Sequence, residues 1–413
     1  MTHPTLKDVQ QAKTLLTGHV LETPMLYSPY LSRAYGADIF LKIENFQETG
    51  SFKERGAYVK LKSLPPETLQ RGVIAVSAGN HAQAVAFHAY NLQSSATIIM
   101  PLFTPPTKVR NTEKWGARII LAGQTLDEAQ KLAQEIALKE NLTFIHPYDD
   151  KAIIAGQGTI GLEMLEACPD LEVLLIPIGG GGLCSGIAVA AKSINPSLKI
   201  YGVEVEGYAS MAQALYGRSE REPTDTTLAE GIAVKIPGKL PQAILKTLLD
   251  DILIVQEEAV EHAVDLLARK QNVVAEGAGA AGLAALVRNP SLFSKKKVGI
   301  VVSGGNIDAR LISAIMMRGQ IHEGRVTILR IEVRDTPGVL AQISKIIADH
   351  QGNILEVHHQ RLVYEIPIKM AELDIMVEAR GKDHMTMIIK ALEAAGFSVS
   401  TLASGLDVNG LCG

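Results

Sequence analysis

Four short stretches of this chain combine residue types that can hold a small ligand and act on it. GGGGL, made of Gly179, Gly180, Gly181, Gly182 and Leu183, follows the apolar run VLLIPI and precedes a helix-forming segment. Successive glycines let neighbouring backbone N–H groups turn toward one point, and the helix behind them adds its positive end, which makes an anion site suited to phosphate. The competing reading is a tight strand-to-helix turn without a ligand, although four glycines carry an entropy cost that a bare turn does not require. The stretch is neither GxGxxG nor GxxxxGK[ST]: counted from Gly179 the first pattern needs a glycine where Cys184 stands, and counted from Gly180 one where Ser185 stands.

SAGNH (Ser77, Ala78, Gly79, Asn80, His81) and SGGN (Ser303 to Asn306) share one build: a hydroxyl, small residues and an amide at the end of an apolar run. Such loops can hold a carboxylate or a ring with backbone donors and short polar side chains, or be simple capped turns. His81 alone reads as a helix-start residue rather than a base. GSFKERG sets Lys53 between Phe52 and Glu54. Read only locally, Lys53 is a surface charge at a helix start, and Glu48, Glu54 and Arg55 are solvated or structural charges.

Other candidates carry less. Glu204 and Glu206, in GVEVEG, share a face if the strand continues through them, and Glu204 is either a single metal ligand or a plain end-of-strand charge. His358 and His359 point to opposite faces of a strand with no third ligand at suitable spacing. No GxSxG elbow occurs. Cys168, Cys184 and Cys412 form no CxxC pair and no disulfide framework, so a reducing interior is expected.

The elements that must position these residues follow from the apolar pattern. The chain has 413 residues, enough for more than one domain, with 47% hydrophobic and 20% charged residues, as in a folded soluble protein. Lys+Arg number 40 against 44 Asp+Glu, which gives no basic excess for a nucleic-acid partner. The N-terminal segment has no signal-peptide pattern and no stretch reaches membrane-span length, so a cytoplasmic protein without a membrane partner is expected. ADIFLKIEN, GVIAVS, SATIIM, ARIIL, LEVLLIPI, SLKIYGVEV, DILIVQ and KKVGIVVS read as strands, and segments such as HAQAVAFHAYNL, CSGIAVAAKSI and EEAVEHAVDLLARK as helices between them. A helix over TLDEAQKLAQEIALKE begins with Thr125 and Glu128 as a capping box. Strands apolar at nearly every position suit parallel sheets covered on both faces, and the carboxyl ends of such strands are the usual ligand sites. The pattern changes near residue 325: TILRIEV, DTPGVLAQISKIIADH, GNILEVHHQ, AELDIMVEAR, KDHMTMIIKALEAAG and FSVSTL give a β-α-β-β-α-β order, a small α+β domain with helices on one face of an antiparallel sheet.

In this order, SFKERGA, SAGNHAQ, GGGGL and SGGN resemble the pyridoxal-phosphate enzymes of the tryptophan-synthase-β type, and among them the threonine ammonia-lyases (threonine dehydratases). RDTPGVLAQISKIIADHQGNIL is similar to the ACT regulatory domains that bind small amino acids. The resemblance implies an α/β, two-lobed fold type II catalytic unit with parallel sheets over residues 1–320, its smaller lobe near 53–150. It further implies a linker at 321–325, a ferredoxin-like ACT domain at 326–402 and a tail at 403–413.

The resemblance also implies roles. Lys53 matches the lysine that bonds to pyridoxal 5'-phosphate and, once displaced by substrate, moves the α-proton, with Phe52 beside the ring. Asn80 matches the amide on the cofactor's phenolic oxygen, and Ser77, Ala78, Gly79, Asn80 and His81 the loop that receives the substrate carboxylate. Gly179, Gly180, Gly181, Gly182 and Leu183 match the phosphate turn. Ser303 matches the hydroxyl facing the pyridine nitrogen; unlike an aspartate it supplies no charge to hold that nitrogen protonated, which suits prompt loss of a β-leaving group. The implied reaction is deamination of L-threonine to 2-oxobutanoate and secondarily of L-serine to pyruvate, with serine or 3-hydroxyaspartate ammonia-lyases and a non-catalytic amino-acid sensor as alternatives. An effector such as isoleucine or valine and a homodimer or homotetramer follow from the ACT likeness.

Two departures from the relatives bear on chemistry. Related serine racemases carry a serine where this chain has Ala78, so elimination is expected to dominate over racemisation. They also surround a divalent ion with a glutamate at the position of Glu204 and an aspartate where this chain has Ser210, so no metal is assigned and Glu204 is the only candidate ligand. Tyr148 stands where some relatives carry an asparagine.

Overall fold

The computed structural model describes residues 3–218, 226–361 and 369–403; Cys412 and residues 404–413 of the expected tail lie outside them. The chain divides into two compact units, Met1–Ile307 and Asp308–Gly413. The first contains strands β1 (Met25–Tyr27), β2 (Asp38–Ile43), β3 (Val73–Val76), β4 (Ala96–Met100), β5 (Arg118–Leu121) and β6 (Thr143–Phe144). It continues with β7 (Val173–Pro177), β8 (Lys199–Val205), β9 (Asp251–Val255) and β10 (Lys297–Val302). A six-stranded sheet has the order β1-β2-β10-β7-β8-β9, and a four-stranded sheet the order β5-β4-β3-β6.

Pairing in both sheets is parallel except between β1 and β2. β4 and β7 are buried at every position, which is why their sequences are unbroken apolar runs rather than alternating ones. The short antiparallel β1 follows Pro24, where the sequence reads as a loop; as an edge strand of three residues it has no apolar run to announce it. Thr125 caps the helix Leu126–Glu140 by accepting the N–H of Glu128 at 3.3 Å. The Glu128 carboxylate, however, accepts the N–H of Gln124 at 2.7 Å rather than that of Thr125, so the expected capping box closes one residue early.

This topology brings distant loops together. β2 and β10 run side by side in parallel with Ile43 opposite Val302. The segments that leave their carboxyl ends, residues 44–52 and 303–308, are therefore neighbours. β7 pairs with the other edge of β10 and delivers the four glycines at the same end, while β3 of the smaller sheet delivers residues 77–81.

The second unit contains β11 (Val326–Arg334), β12 (Asn353–Gln360), β13 (Met370–Glu378) and β14 (Ser398–Ala403), in the order β12-β13-β11-β14 and antiparallel throughout. Helices Val339–Asp349 and Lys382–Ala394 complete the βαββαβ fold. Leu329, Ile331, Leu373 and Ile375 pack with Ile343, Ile347, Ile388 and Leu392 in its core. The period of two on the strands and of about 3.6 on the helices accounts for that selection. His358 and His359 are exposed on the edge strand β12, opposite Asp374 and Leu373.

Candidate active site

Lys53 is the first residue of the helix Lys53–Lys62. The preceding loop is stitched to the end of β10: Phe52 donates its N–H to the Ser303 carbonyl at 3.1 Å, Gly305 donates to the Gly50 carbonyl at 2.9 Å, and Ser51 pairs with Gly304 in an antiparallel bridge. Lys53 and Ser303, far apart in sequence, are thus held on adjoining backbones. Ser51 Oγ is buried beside this junction without a hydrogen-bond partner among the described residues.

The Lys53 ammonium is half-buried, donates to the Pro147 carbonyl at 2.9 Å and lies 5.1 Å from the centre of the Phe52 ring. Removal from water pulls its pKa down to about 8, against an opposing pull from the Glu276 carboxylate. His146 supports the turn that presents Pro147, accepting the Asp149 N–H on Nδ1 at 2.8 Å.

Of the charges flanking Lys53, Arg55 and Glu54 are structural, whereas Glu48 is exposed. Arg55 is completely buried and donates to Glu44 and Glu163, and Lys42, also buried, donates to Glu163 at 2.5 Å and to the Thr23 carbonyl at 2.6 Å. Two cations and two carboxylates therefore anchor the helix that begins at Lys53. Glu54 is buried as well and accepts the Thr49 N–H. Locally the sequence offered no sign of this, because the partners are supplied by β2, the turn after it and the helix Lys151–Ala167.

Asn80 opens the helix Asn80–Asn91. It donates to Glu276 Oε1 at 2.7 Å and accepts from Asn306 Nδ2 at 2.7 Å. The sequence did not single out Glu276, and it noted Asn306 only as the amide of SGGN, without its bond to Asn80. Glu276 precedes the helix Gly277–Arg288 in the N-cap position yet makes no capping bond, spending its carboxylate on Asn80 instead. An acidic residue among small and apolar neighbours in VVAEGAGA was the available signal. Burial raises the Glu276 pKa to about 7, with the Asn80 hydrogen bond and the charge of Lys108 working in the opposite direction.

Within the 77–81 loop, Ser77 Oγ accepts the Gly79 N–H at 3.1 Å, and a side chain on Gly79 would meet open space. The His81 ring points elsewhere: it is buried, engages the Ile145 carbonyl through Nε2 at 2.9 Å, and burial pushes its pKa down to about 3. His81 therefore offers the loop its backbone but not a charged side chain.

The four glycines lead from β7 into the helix Gly182–Ile194, and no side chain caps that helix. Its first N–H groups are the unsatisfied donors of any helix start. A side chain would collide at Gly180 and Gly181 and be tightly crowded at Gly179 and Gly182. A Cβ on Gly180 would fall within the Tyr148 ring, one on Gly181 (φ +94°) 2.7 Å from Met211 Cε, and one on Gly179 3.0 Å from Ile232 Cα. Tyr148 is held there by donating its hydroxyl to the Ile236 carbonyl at 3.0 Å. Leu183 is buried in the first turn. An uncapped helix start with its donors kept bare, a half-buried amine of lowered pKa, and an amide and a buried hydroxyl from two other loops fit a phosphorylated aromatic aldehyde such as pyridoxal phosphate.

Glu204 does not resemble a metal ligand in this arrangement. Both its carboxylate oxygens are taken, by the N–H groups of Met211 and Ala212 at 2.8 Å each. Among the described residues no three His, Cys, Asp or Glu side chains are grouped to hold a metal ion. Among those residues, too, no helix is long and apolar enough to cross a membrane.

Comparison with known proteins agrees with this geometry. Residues 16–304 match the family described as Pyridoxal-phosphate dependent enzyme, and residues 327–402 match the ACT domain. A Thermotoga maritima protein named L-threonine ammonia-lyase is 44% identical over 396 residues, 96% of this chain and 98% of its own length. A Geobacter sulfurreducens protein of the same name is 41% identical, covering 95% of this chain and 98% of its own. The processed form of threonine deaminase isoform 2 from Solanum lycopersicum superposes with a TM-score of 0.71 at 33% identity, covering 76% of this chain and 90% of the other. Maize serine racemase gives the same TM-score and identity over 78% of this chain and 99% of its own.

Proposed function

The chain belongs to the pyridoxal-phosphate dependent enzymes and continues into an ACT domain, and on that premise we propose that it deaminates L-threonine to 2-oxobutanoate and ammonia, and more slowly L-serine to pyruvate. The observation that carries this reading is the junction of Lys53 with the Ser303 backbone, next to an amide and an uncapped glycine-led helix. The near relatives named L-threonine ammonia-lyase support the choice of substrate.

In this reading Gly179 to Leu183 would hold the cofactor phosphate, Asn80, Ser303 and Phe52 would hold the ring, and Lys53 would be the amine that anchors it covalently. When bound, pyridoxal phosphate supplies an electron sink for the pair left on the substrate α-carbon. Lys53 Nζ takes the α-proton, which requires a neutral amine; burial favours that state. The backbone N–H groups of the loop Ser77, Ala78, Gly79, Asn80 and His81 bind the substrate carboxylate. With Ala78 there, no second acid or base stands in the loop position where racemases carry serine, so the α-proton is not returned from the opposite side and the β-hydroxyl leaves. Loss of water and later hydrolysis of the released enamine return the same water, leaving a 2-oxo acid and ammonia as net products.

The ACT domain takes a small amino-acid effector, isoleucine or valine, and the chain works as a homodimer or homotetramer. Steady-state deamination of threonine, serine and 3-hydroxyaspartate, each with and without isoleucine or valine, tests the proposal. Faster turnover of 3-hydroxyaspartate than of threonine overturns the substrate assignment. Unchanged effector responses after truncation beyond residue 320 overturn the regulatory one. The same assays on Lys53→Ala, expected to be inactive, test the site.

A further inference from the structure

The amide of Asn80 has a defined orientation, and it is set from a distance. The side-chain nitrogen of Asn306 lies 2.7 Å from the Thr49 carbonyl and 2.7 Å from Asn80 Oδ1. A backbone carbonyl only accepts hydrogen bonds, so the Asn306 atom facing Thr49 must be the nitrogen, and its two hydrogens serve these two acceptors. The Asn80 atom facing Asn306 is then the oxygen, which leaves the Asn80 nitrogen toward Glu276 Oε1. Inverting Asn80 would set its nitrogen against a donor and its oxygen against a carboxylate.

Two glycines make the arrangement possible. A Cβ on Gly304 would stand 3.1 Å from Asn80 Nδ2 and 2.5 Å from Glu276 Oε1, and a Cβ on Gly50 would stand 2.7 Å from Asn306 Oδ1. Gly50 also sits at φ +74°, where side chains are strained. After Glu276 takes one hydrogen of the Asn80 amide, one remains.

We propose that Asn306 is a positioning residue that fixes the Asn80 amide with its remaining N–H available to an anionic ring oxygen of the bound cofactor. The inference rests on the placement of Asn80 at the cofactor ring proposed above. With the amide inverted, an oxygen would face the ring oxyanion and repel it. Without that donor the ring oxygen of the bound cofactor would be more basic. Losing the donor therefore moves the pH midpoint of the cofactor's visible absorption upward.

The test titrates that absorption with pH in the loaded wild type, Asn80→Ala, Asn306→Asp, Asn306→Ala and Asn80→Ala/Asn306→Ala proteins, and measures dissociation of pyridoxal phosphate from each by dialysis. Both Asn306 variants are expected to raise the midpoint and to weaken cofactor retention about 2- to 10-fold, the range of one hydrogen bond. Because Asn306 acts through Asn80, Asn306→Ala should add nothing in the Asn80→Ala background. Additive effects, or a lowered melting temperature with an unmoved midpoint, overturn the proposal. Lys53→Ala is measured alongside: an unchanged visible band there defeats the Lys53 assignment, whereas the dissociation constants of the Asn306 series still decide this one.

Discussion

Arg55 grips Glu44 with two hydrogen bonds of 2.8 Å, from Nε and Nη2, and neither side chain has exposed surface. The pair anchors the helix whose first residue is Lys53. Removing one partner of such a pair leaves a buried, uncompensated charge, at a cost of about 3–5 kcal/mol. Arg55→Met should lose that much stability in urea unfolding, and Arg55→Lys should not restore it, because an ammonium cannot bond both carboxylate oxygens as a planar fork does. An Arg55→Lys protein of wild-type stability would sink the argument.

The same pair sets an acid limit. Burial alone would raise the Glu44 pKa, but the Arg55 charge and hydrogen bonds, with Lys42, hold it below the ordinary value of 4.5. A carboxylate with a depressed folded-state pKa contributes stability that is fully present above its unfolded value and lost as pH falls through the folded one. Wild-type stability should therefore decline as pH drops below about 4.5, and that part of the decline should be absent in Arg55→Met. Unfolding curves at a series of acidic pH values measure it.

Capture of the cofactor by the empty protein should follow the neutral fraction of Lys53. That fraction rises as pH increases through the Lys53 pKa of about 8. Glu276 raises this pKa by its negative charge, so Glu276→Gln should shift the midpoint of capture to lower pH. The rate at which added pyridoxal phosphate develops visible absorption, followed against pH, reads both midpoints. A midpoint that stays in place or rises in Glu276→Gln contradicts the electrostatic coupling.

Gly180 tolerates no side chain because the Tyr148 ring occupies the place of its Cβ. In Gly180→Ala either the ring or the turn must move, and the helix-start donors move with the turn. Retention of pyridoxal phosphate should fall by at least about tenfold, the effect of losing roughly one charge-assisted hydrogen bond. Gly180→Ala/Tyr148→Ala should recover part of the loss, since the ring is the obstacle. If the double variant retains the cofactor no better than the single one, Tyr148 is not what constrains the turn.

Much of this arrangement was legible in the sequence because the loops sit at strand ends, and strands buried on both faces are unmistakable apolar runs. Asn80, the four glycines and Ser303 stand in such loops, whereas Lys53 read locally as a surface charge and gained its role only through the resemblance to the pyridoxal-phosphate enzymes. The sequence does not say what a side chain meets across the fold. The resemblance puts His81 in the loop that receives the substrate carboxylate but says nothing of its ring, which is spent on the Ile145 carbonyl. Arg55 read as either a solvated or a structural charge, because Glu44 and Glu163, which decide between the two, come from other elements. Glu276 and Asn306 act through long-range hydrogen bonds, to Asn80 and, for Asn306, also to Thr49, which leave no periodicity to detect.

Ala78 offers a test of reaction choice. A β-hydroxy amino acid that has lost its α-proton can lose its hydroxyl or regain a proton, and regain on the opposite face requires an acid positioned there. Alanine supplies none, and Ala78 is flanked by Ser77, whose hydroxyl accepts from Gly79, and by Gly79, whose missing side chain would face open space. Ala78 itself is only half-buried. Positioned proton transfer is worth about 10²–10⁴-fold, so Ala78→Ser should raise the conversion of L-serine to D-serine at least about tenfold while slowing deamination of threonine. Chiral chromatography of serine reactions, run beside the 2-oxobutanoate assay, measures both. If D-serine stays at the wild-type level while the variant remains folded and loaded with cofactor, the residue at position 78 does not decide between the two fates.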